Sequence, residues 1–280
     1  ELTVGGIAGR TDGSVNGCLN EGNITVEVSE NGGVSGGGIT GDCNGKNIRI
    51  TGCINRGKLS GNSTSYKTEG ISLAGIVGTN FSGSTINNCL NEGEVNVRFS
   101  SSQTVYSPFS AAGITTSNYG LVINSGNTGR IAVQSDMKAT VGGISSHNSG
   151  SIVNSYNIGA IACNGRKGQT FYNNGGGITG VFQYSTIGIT PLIYGCYNSG
   201  TVSSTGSEEQ IGSIAGDASY LIDKYNVPTR IRNTYYSAET GKPIGNDYYQ
   251  QSQYILGVFD MKGKDFRQDL NEAAQAYNDT

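Results

Sequence analysis

Acidic and basic side chains recur at two fixed phases of this 280-residue chain. Glu21, Arg56 and Glu92 each stand one residue before a glycine, and Lys58, Glu94 and Arg130 each stand one residue after one. Two carboxylates about 5–10 Å apart can flank a glycosidic bond as acid and base or nucleophile. If each copy forms one coil of a stacked fold, Glu21 and Glu92 lie two coils apart, roughly 9–10 Å. Arg56 then sits between them and neutralises both. The expectation is a stabilising column of alternating charge, worth about 0.2–1 kcal/mol per pair. Cleavage or elimination of a polysaccharide by a β-helix enzyme is the alternative.

The thiols follow the same phase. Cys18, Cys53, Cys89 and Cys196 each lie four residues before one of these glycines, where Ser125 and Ser155 stand in other copies. Interchange of Cys with Ser at one phase points to a small inward position, since a buried thiol behaves as a small hydrophobe. Stacked neighbours about 4.8 Å apart formally permit a disulfide. Their side chains point the same way, however, so reduced thiols are expected. Cys43 and Cys163 fall off this phase. The single histidine, His147, reads as a turn residue at a phase filled elsewhere by Arg10 or Asn80. One histidine excludes a His-Glu-x-x-His zinc site. No Cys-x-x-Cys pair supports a zinc ribbon. Asp12, Asp42 and Asp217 lack the spacing of a calcium loop. The expectation is no catalytic residue, no metal and no cofactor.

Composition narrows the class. Glycine numbers 45, Trp is absent, Pro numbers 4, and charged residues make up 14% of the chain. Such a surplus of small residues could mark a disordered linker, but a 35% hydrophobic fraction is enough to build a core. Net charge is −3, which offers no basic surface for nucleic acid. No window approaches the 18 or so apolar residues of a membrane span. The N-terminal Glu-Leu-Thr-Val carries no signal-peptide pattern, and the chain reads as a mature or excised segment.

The elements that position these columns are repeats. Gly-Ile anchors end at Ile7, Ile39, Ile76, Ile114, Ile144, Ile178 and, in worn form, Ile214, spaced 32, 37, 38, 30, 34 and 36 residues apart. An Asn-x-Gly anchor follows each of the first six, beginning at Asn20, Asn55, Asn91, Asn127, Asn157 and Asn198. A β-branched aliphatic precedes each of these glycines by seven residues (Val15, Ile50, Ile86, Val122, Ile152, Ile193). Another aliphatic follows each by two (Ile24, Leu59, Val95, Ile131, Ile161, Val202). Spacing of period two marks strands. Each unit therefore reads as three short β-segments, with Asn and Gly reversing the chain at the Asn-x-Gly corner. Segments this short bury a core only by stacking coil on coil. The predicted fold is an all-β parallel solenoid, a right-handed three-sided β-helix of about seven coils, with the six asparagines and four phased cysteines as structural ladders. A β-propeller, which needs four strands per blade, fits less well.

The stretch Gly-Gly-Ile-x-Gly, followed by Gly/Ser-x-Ile-x-Asn-Cys/Ser-x-Asn-x-Gly-x-Val, resembles the GLUG-type repeat of bacterial surface proteins. It is clearest at Gly75 to Val97 and Gly143 to Ile161, and the similarity covers about residues 4–245. Tyr235-Tyr236 and the Met261-Lys262 to Phe266 stretch are similar to the segment found after the last repeat in such proteins. These repeats occur in adhesin-like proteins and in non-catalytic regions of immunoglobulin-A-specific metalloproteases. The resemblance implies an extracellular or cell-surface location and a role in adhesion or scaffolding, as part of a larger protein.

Residues 1–245 are thus expected to form the solenoid and 246–280 a capping segment. Phe266, Leu270, Ala273, Ala274 and Tyr277 share one helical face, predicting a helix over about 265–277. Loops inserted between units carry Tyr66, Tyr106, Tyr172, Tyr184, Tyr220 and Tyr225. Loops at one repeat phase stack on one flank, and these tyrosines are the candidate contacts for a glycan or protein ligand. A monomer is expected.

Overall fold

A computed structural model describes residues 2–29, 31–45, 47–101, 109–165, 173–183, 191–205, 209–220, 230–248, 250–259, 261 and 264–278. The chain winds into a parallel β-solenoid closed by a C-terminal helix. Its third coil shows the plan: strands Thr68–Ala74, Val77–Asn80, Thr85–Asn87, Leu90–Asn91 and Val95–Phe99 succeed one another around the section. Each strand pairs in parallel with its equivalents in the coils before and after, giving five ladders of 7, 8, 7, 8 and 6 strands among the described residues.

The three segments read from the sequence resolve into these five ladders because two of them bend. The first segment breaks at Gly-Ile. In the third coil the chain leaves one strand at Ala74 and enters the next at Val77, with Ile76 turned inward at the bend. The second segment breaks at a left-handed residue, and this corrects the expected corner. Positive φ falls on Gly17, Gly52, Asn88, Asn124, Asn154, Gly195 and Asn233, at 63°, 63°, 53°, 52°, 46°, 63° and 46°. None of the Asn-x-Gly glycines is among the positive-φ residues. They are glycine for another reason: a Cβ on Gly57, Gly93, Gly129, Gly159 or Gly200 would run into the carbonyl oxygen of the equivalent glycine one coil earlier.

Two apolar cores run the length of the rod. Leu59, Leu73, Val95, Val97, Phe109, Val133 and Ile161 fill the space between the first and fifth ladders. Ile39, Ile76, Ile114, Ile144, Ile178 and Ile214 stack with Ile50, Ile86, Val122, Ile152 and Ile193 inside the second to fourth. Complete burial of such a side chain contributes about 1.5–3 kcal/mol. All six of those bend isoleucines are 0% exposed, whereas Ile7 in the first coil is 49% exposed.

A polar ladder separates the cores. Asn20 donates through Nδ2 to Asn55 Oδ1 at 2.7 Å, and the pattern continues through Asn91, Asn127, Asn157 and Asn198 at 2.8, 2.7, 2.7 and 2.7 Å. Each amide also donates to the carbonyl two residues on, at 2.8–3.0 Å. From Asn20 to Asn157 both amide protons are thereby satisfied, the condition for burying a polar group at little cost. A shorter second ladder joins Asn80 to Asn118 and Asn118 to Asn148, at 2.8 and 2.7 Å. Cys43 is in register with Asn80 at one end and Phe182 with Asn148 at the other. Asn80 Oδ1 and Asn148 Nδ2, the terminal atoms, consequently have no partner.

The far end is closed by strands and helix together. Strands Ile244–Asn246 and Ile255–Val258 extend the second and fourth ladders beyond residue 245. The helix spans Lys264–Asn278. Phe266, 4% exposed, meets Tyr197 and Tyr235 edge-on at 5.7 and 5.4 Å. Tyr277 reaches Tyr194 at 5.5 Å. The apolar helical stripe is thus matched by tyrosines turned outward from the last coils.

Candidate ligand-binding flank

The charged columns form two ion-paired triads on the outside of the rod, Glu21–Arg56–Glu92 and Lys58–Glu94–Arg130. Arg56 Nε lies 2.7 Å from Glu92 Oε2 and its Nη1 3.4 Å from Glu21 Oε1. Lys58 Nζ is 2.9 Å from Glu94 Oε2, and Arg130 Nη1 is 3.2 Å from Glu94 Oε1. Lys58, with Arg130, holds the Glu94 carboxyl below its ordinary value. Each of these carboxylates therefore faces a cation, and a pair of carboxylates with space between them does not form here.

All six cysteines are free thiols. The phased ones share a small polar task with their serine and threonine equivalents. Cys53, Cys89 and Cys196 donate to the carbonyl two residues earlier at 3.5, 3.4 and 3.4 Å, as Ser125, Ser155 and Thr234 do at 2.9, 2.8 and 2.9 Å. Cys43 and Cys163 belong to other inward columns, Cys43 with the second asparagine ladder and Cys163 beside Val133. Burial pushes the Cys43 and Cys196 thiols up to about 12, which keeps them protonated and unreactive.

His147 is a strand residue rather than a turn residue. It pairs with Ser117 and Val181, in line with Arg10, Asp42 and Thr79, while Asn80 lines up with Asn148 instead. Burial, reinforced by the charge of Lys138, holds its imidazole down to about 4. Asp42 accepts the Ser35 hydroxyl at 3.0 Å, Asp217 accepts the Asn246 amide at 3.2 Å, and Asp12 lies exposed at the opposite end from Asp217. Among the described residues no three His, Cys, Asp or Glu side chains converge as a metal site.

Of the candidate tyrosines, Tyr66 is 51% exposed with Lys67 Nζ 5.7 Å from its ring centre. Tyr106, Tyr172, Tyr184, Tyr225 and the side chain of Tyr220 lie outside the described residues. Where the fifth ladder gives way to the loop that carries Tyr66, the structure opens a cleft of about 410 Å³. Glu27, Asn62, Arg98 and Gln134 form its floor, in register across four successive coils. Ser29, Thr64, Ser100 and Asp136 rise from the strand ends as its wall. Asn62 Nδ2 donates to Glu27 Oε1 at 2.7 Å, and Asp136 Oδ2 accepts the Ser100 hydroxyl and the Ser101 amide at 3.1 and 3.2 Å.

Sequence reasoning passed over these cleft residues although their phase is regular. Each floor residue stands five positions after an Asn-x-Gly glycine, the outward-facing parity of the third segment. Their types differ from coil to coil, so no column of like residues announced them. No protein-family model, curated protein or solved structure matches this chain.

Proposed function

We propose that this chain is a non-catalytic adhesion or spacer module of a larger bacterial cell-surface protein, built of GLUG-type repeats and exposed outside the cell. The observation that carries the reading is the fate of the chemically capable residues. Glu21, Glu92 and Glu94 are tied to Arg56, Lys58 and Arg130, the phased thiols cap backbone carbonyls, and the asparagines hydrogen-bond one another along the axis. Side chains engaged in holding coils together are suited to a rod. Seven coils at about 4.8 Å each give a shaft of roughly 35 Å, stiffened along its axis by hydrogen bonds and able to carry a binding surface away from a cell wall. That surface is the flank bearing Tyr66 and the neighbouring cleft, where aromatic faces and polar groups suit sugar rings or peptide side chains.

The test is binding of the purified chain to arrays of host and mucosal glycans and of extracellular-matrix proteins. Saturable binding that weakens when Tyr66 is replaced by Ala supports adhesion. Blank arrays leave the spacer role alone. Release of new unsaturated ends or reducing sugars from uronate polymers would overturn the non-catalytic reading.

A further inference from the structure

We infer that the cleft on the fifth ladder takes a carboxylated sugar, with Arg98 as the cation that anchors its carboxylate. This rests on the adhesive role proposed for the same flank and names the ligand class. The charge balance of the cleft is the starting point. Arg56, Lys58 and Arg130 are all ion-paired on the neighbouring column. Arg98 is exposed, and its guanidinium makes no hydrogen bond or ion pair among the described residues. Two carboxylates line the same cleft, yet neither pairs with it. Glu27 is held by the Asn62 amide, and Asp136 by the Ser100 hydroxyl and the Ser101 backbone amide. Neutral donors satisfy the anions, and the guanidinium keeps its planar fork of N–H groups for something from outside. That fork matches a carboxylate in a two-point contact.

The surroundings select what carries the carboxylate. Asn62 and Gln134 stand in register on either side of Arg98, about 4.8 Å away along the axis. The Gln134 amide and the hydroxyls of Ser29 and Thr64, with the amide oxygen of Asn62, present both donors and acceptors, as vicinal sugar hydroxyls require. A cleft of about 410 Å³ lies in the size range of small-ligand sites. Glu27 and Asp136 in the same cleft disfavour a dianionic phosphate or a sulfated polymer, so the fitting ligand carries one negative charge per ring: a uronic or sialic acid residue.

Calorimetric titration with a glucuronate-containing tetrasaccharide and with sialyl-lactose tests this, each against its carboxyl-reduced counterpart. A charge-assisted contact of this kind is worth about 1.5–3 kcal/mol, so binding should weaken at least about tenfold on carboxyl reduction and on Arg98→Gln. The Arg98→Gln chain keeps its thermal midpoint, because the side chain it replaces is exposed and unpaired. Equal binding of the reduced sugars, or an unchanged affinity for Arg98→Gln, overturns the carboxylate anchor and leaves adhesion standing. So does binding of neutral glycans or proteins on the broader arrays with none to the acidic sugars. Arrays blank to every ligand sink both this inference and the adhesive half of the proposed function.

Discussion

Gly38 and Asn55, one from each anchor of the repeat, meet across the width of the coil: a Cβ on Gly38 would lie 2.5 Å from the Asn55 carboxamide carbon. The same encounter recurs between Gly6 and Asn20, Gly75 and Asn91, Gly113 and Asn127, Gly143 and Asn157, and Gly177 and Asn198. Two neighbours keep this anchor glycine: the asparagine of the same coil and the backbone carbonyl of the equivalent residue one coil on, Gly75 in the case of Gly38. Glycine lets the bend between the first and second ladders approach the amide ladder, and the amides together with the next coil's carbonyl oxygens occupy what would have been Cβ space. Gly38→Ala should therefore destabilise the chain by several kcal/mol, as overpacking against a fixed neighbour does. Gly13, whose Cβ would meet nothing within 4 Å, is the control. Gly13→Ala should leave the urea midpoint within about 0.5 kcal/mol. Similar losses for the two would contradict the contact.

Interrupting the amide ladder should cost more in its middle than at its end. Asn91→Ala removes the acceptor of Asn55 and the donor to Asn127 together. Two buried ladder partners are left unsatisfied at about 1–3 kcal/mol each, so a loss of ~2–6 kcal/mol is expected. Asn20→Ala strands one ladder partner, Asn55 Oδ1; the carbonyl two residues on loses its donor in either variant, so the end of the ladder should cost about half as much. Equilibrium denaturation of both variants checks the ratio.

The exterior charge column should matter far less. Glu92 sits 2.7 Å from Arg56, but both side chains are well exposed, at 39% and 50%. Exposed pairs are typically worth 0.2–1 kcal/mol. Glu92→Gln should shift stability by less than about 1 kcal/mol, and the shift should shrink further in ~1 M salt. A larger, salt-insensitive effect would mean that the column does more than pair charges.

Acid should weaken the fold before carboxylates titrate. The native His147 imidazole is held to about 4 against an ordinary 6.5, so between those values the unfolded chain binds a proton that the native chain refuses. Stability is unaffected above about 6.5 and falls as pH drops toward 4. Glu94, whose carboxyl is held below its ordinary value, adds a loss of the same sign at lower pH, as it protonates. His147→Gln should flatten the upper part of the profile and leave the lower part. A thermal midpoint that falls equally between pH 6.5 and 5 in both chains would refute this.

Thiol reactivity should divide cleanly. Cys18, in the first coil, is partly exposed, while Cys43, Cys53, Cys89, Cys163 and Cys196 are buried. One thiol should react promptly with a bulky reagent in the native chain and all six in denaturant. Cys89→Ser should cost little, about 1 kcal/mol or less, because Ser125 makes the equivalent hydrogen bond one coil on.

The repeat period, the parallel stacking and the identity of the axial columns were all legible in the residues themselves. Asn20 to Asn198, Ile7 to Ile214 and Cys18 to Cys196 recur at constant phase, and in a stacked coil constant phase is spatial contact. The helix was legible for a similarly local reason, since Phe266 and Tyr277 share a face at helical spacing. What lay beyond reach were relationships across the section of a coil. That Gly38 faces Asn55 depends on where the bends fall, and the left-handed bend falls at Gly52 and Asn88 rather than at Asn-x-Gly. Whether Arg98 finds a partner depends on how Glu27 and Asp136 are already satisfied. Periodicity in sequence reports neighbours along the axis; contacts perpendicular to it are decided only when the chain closes each turn and brings distant phases within a bond length of one another.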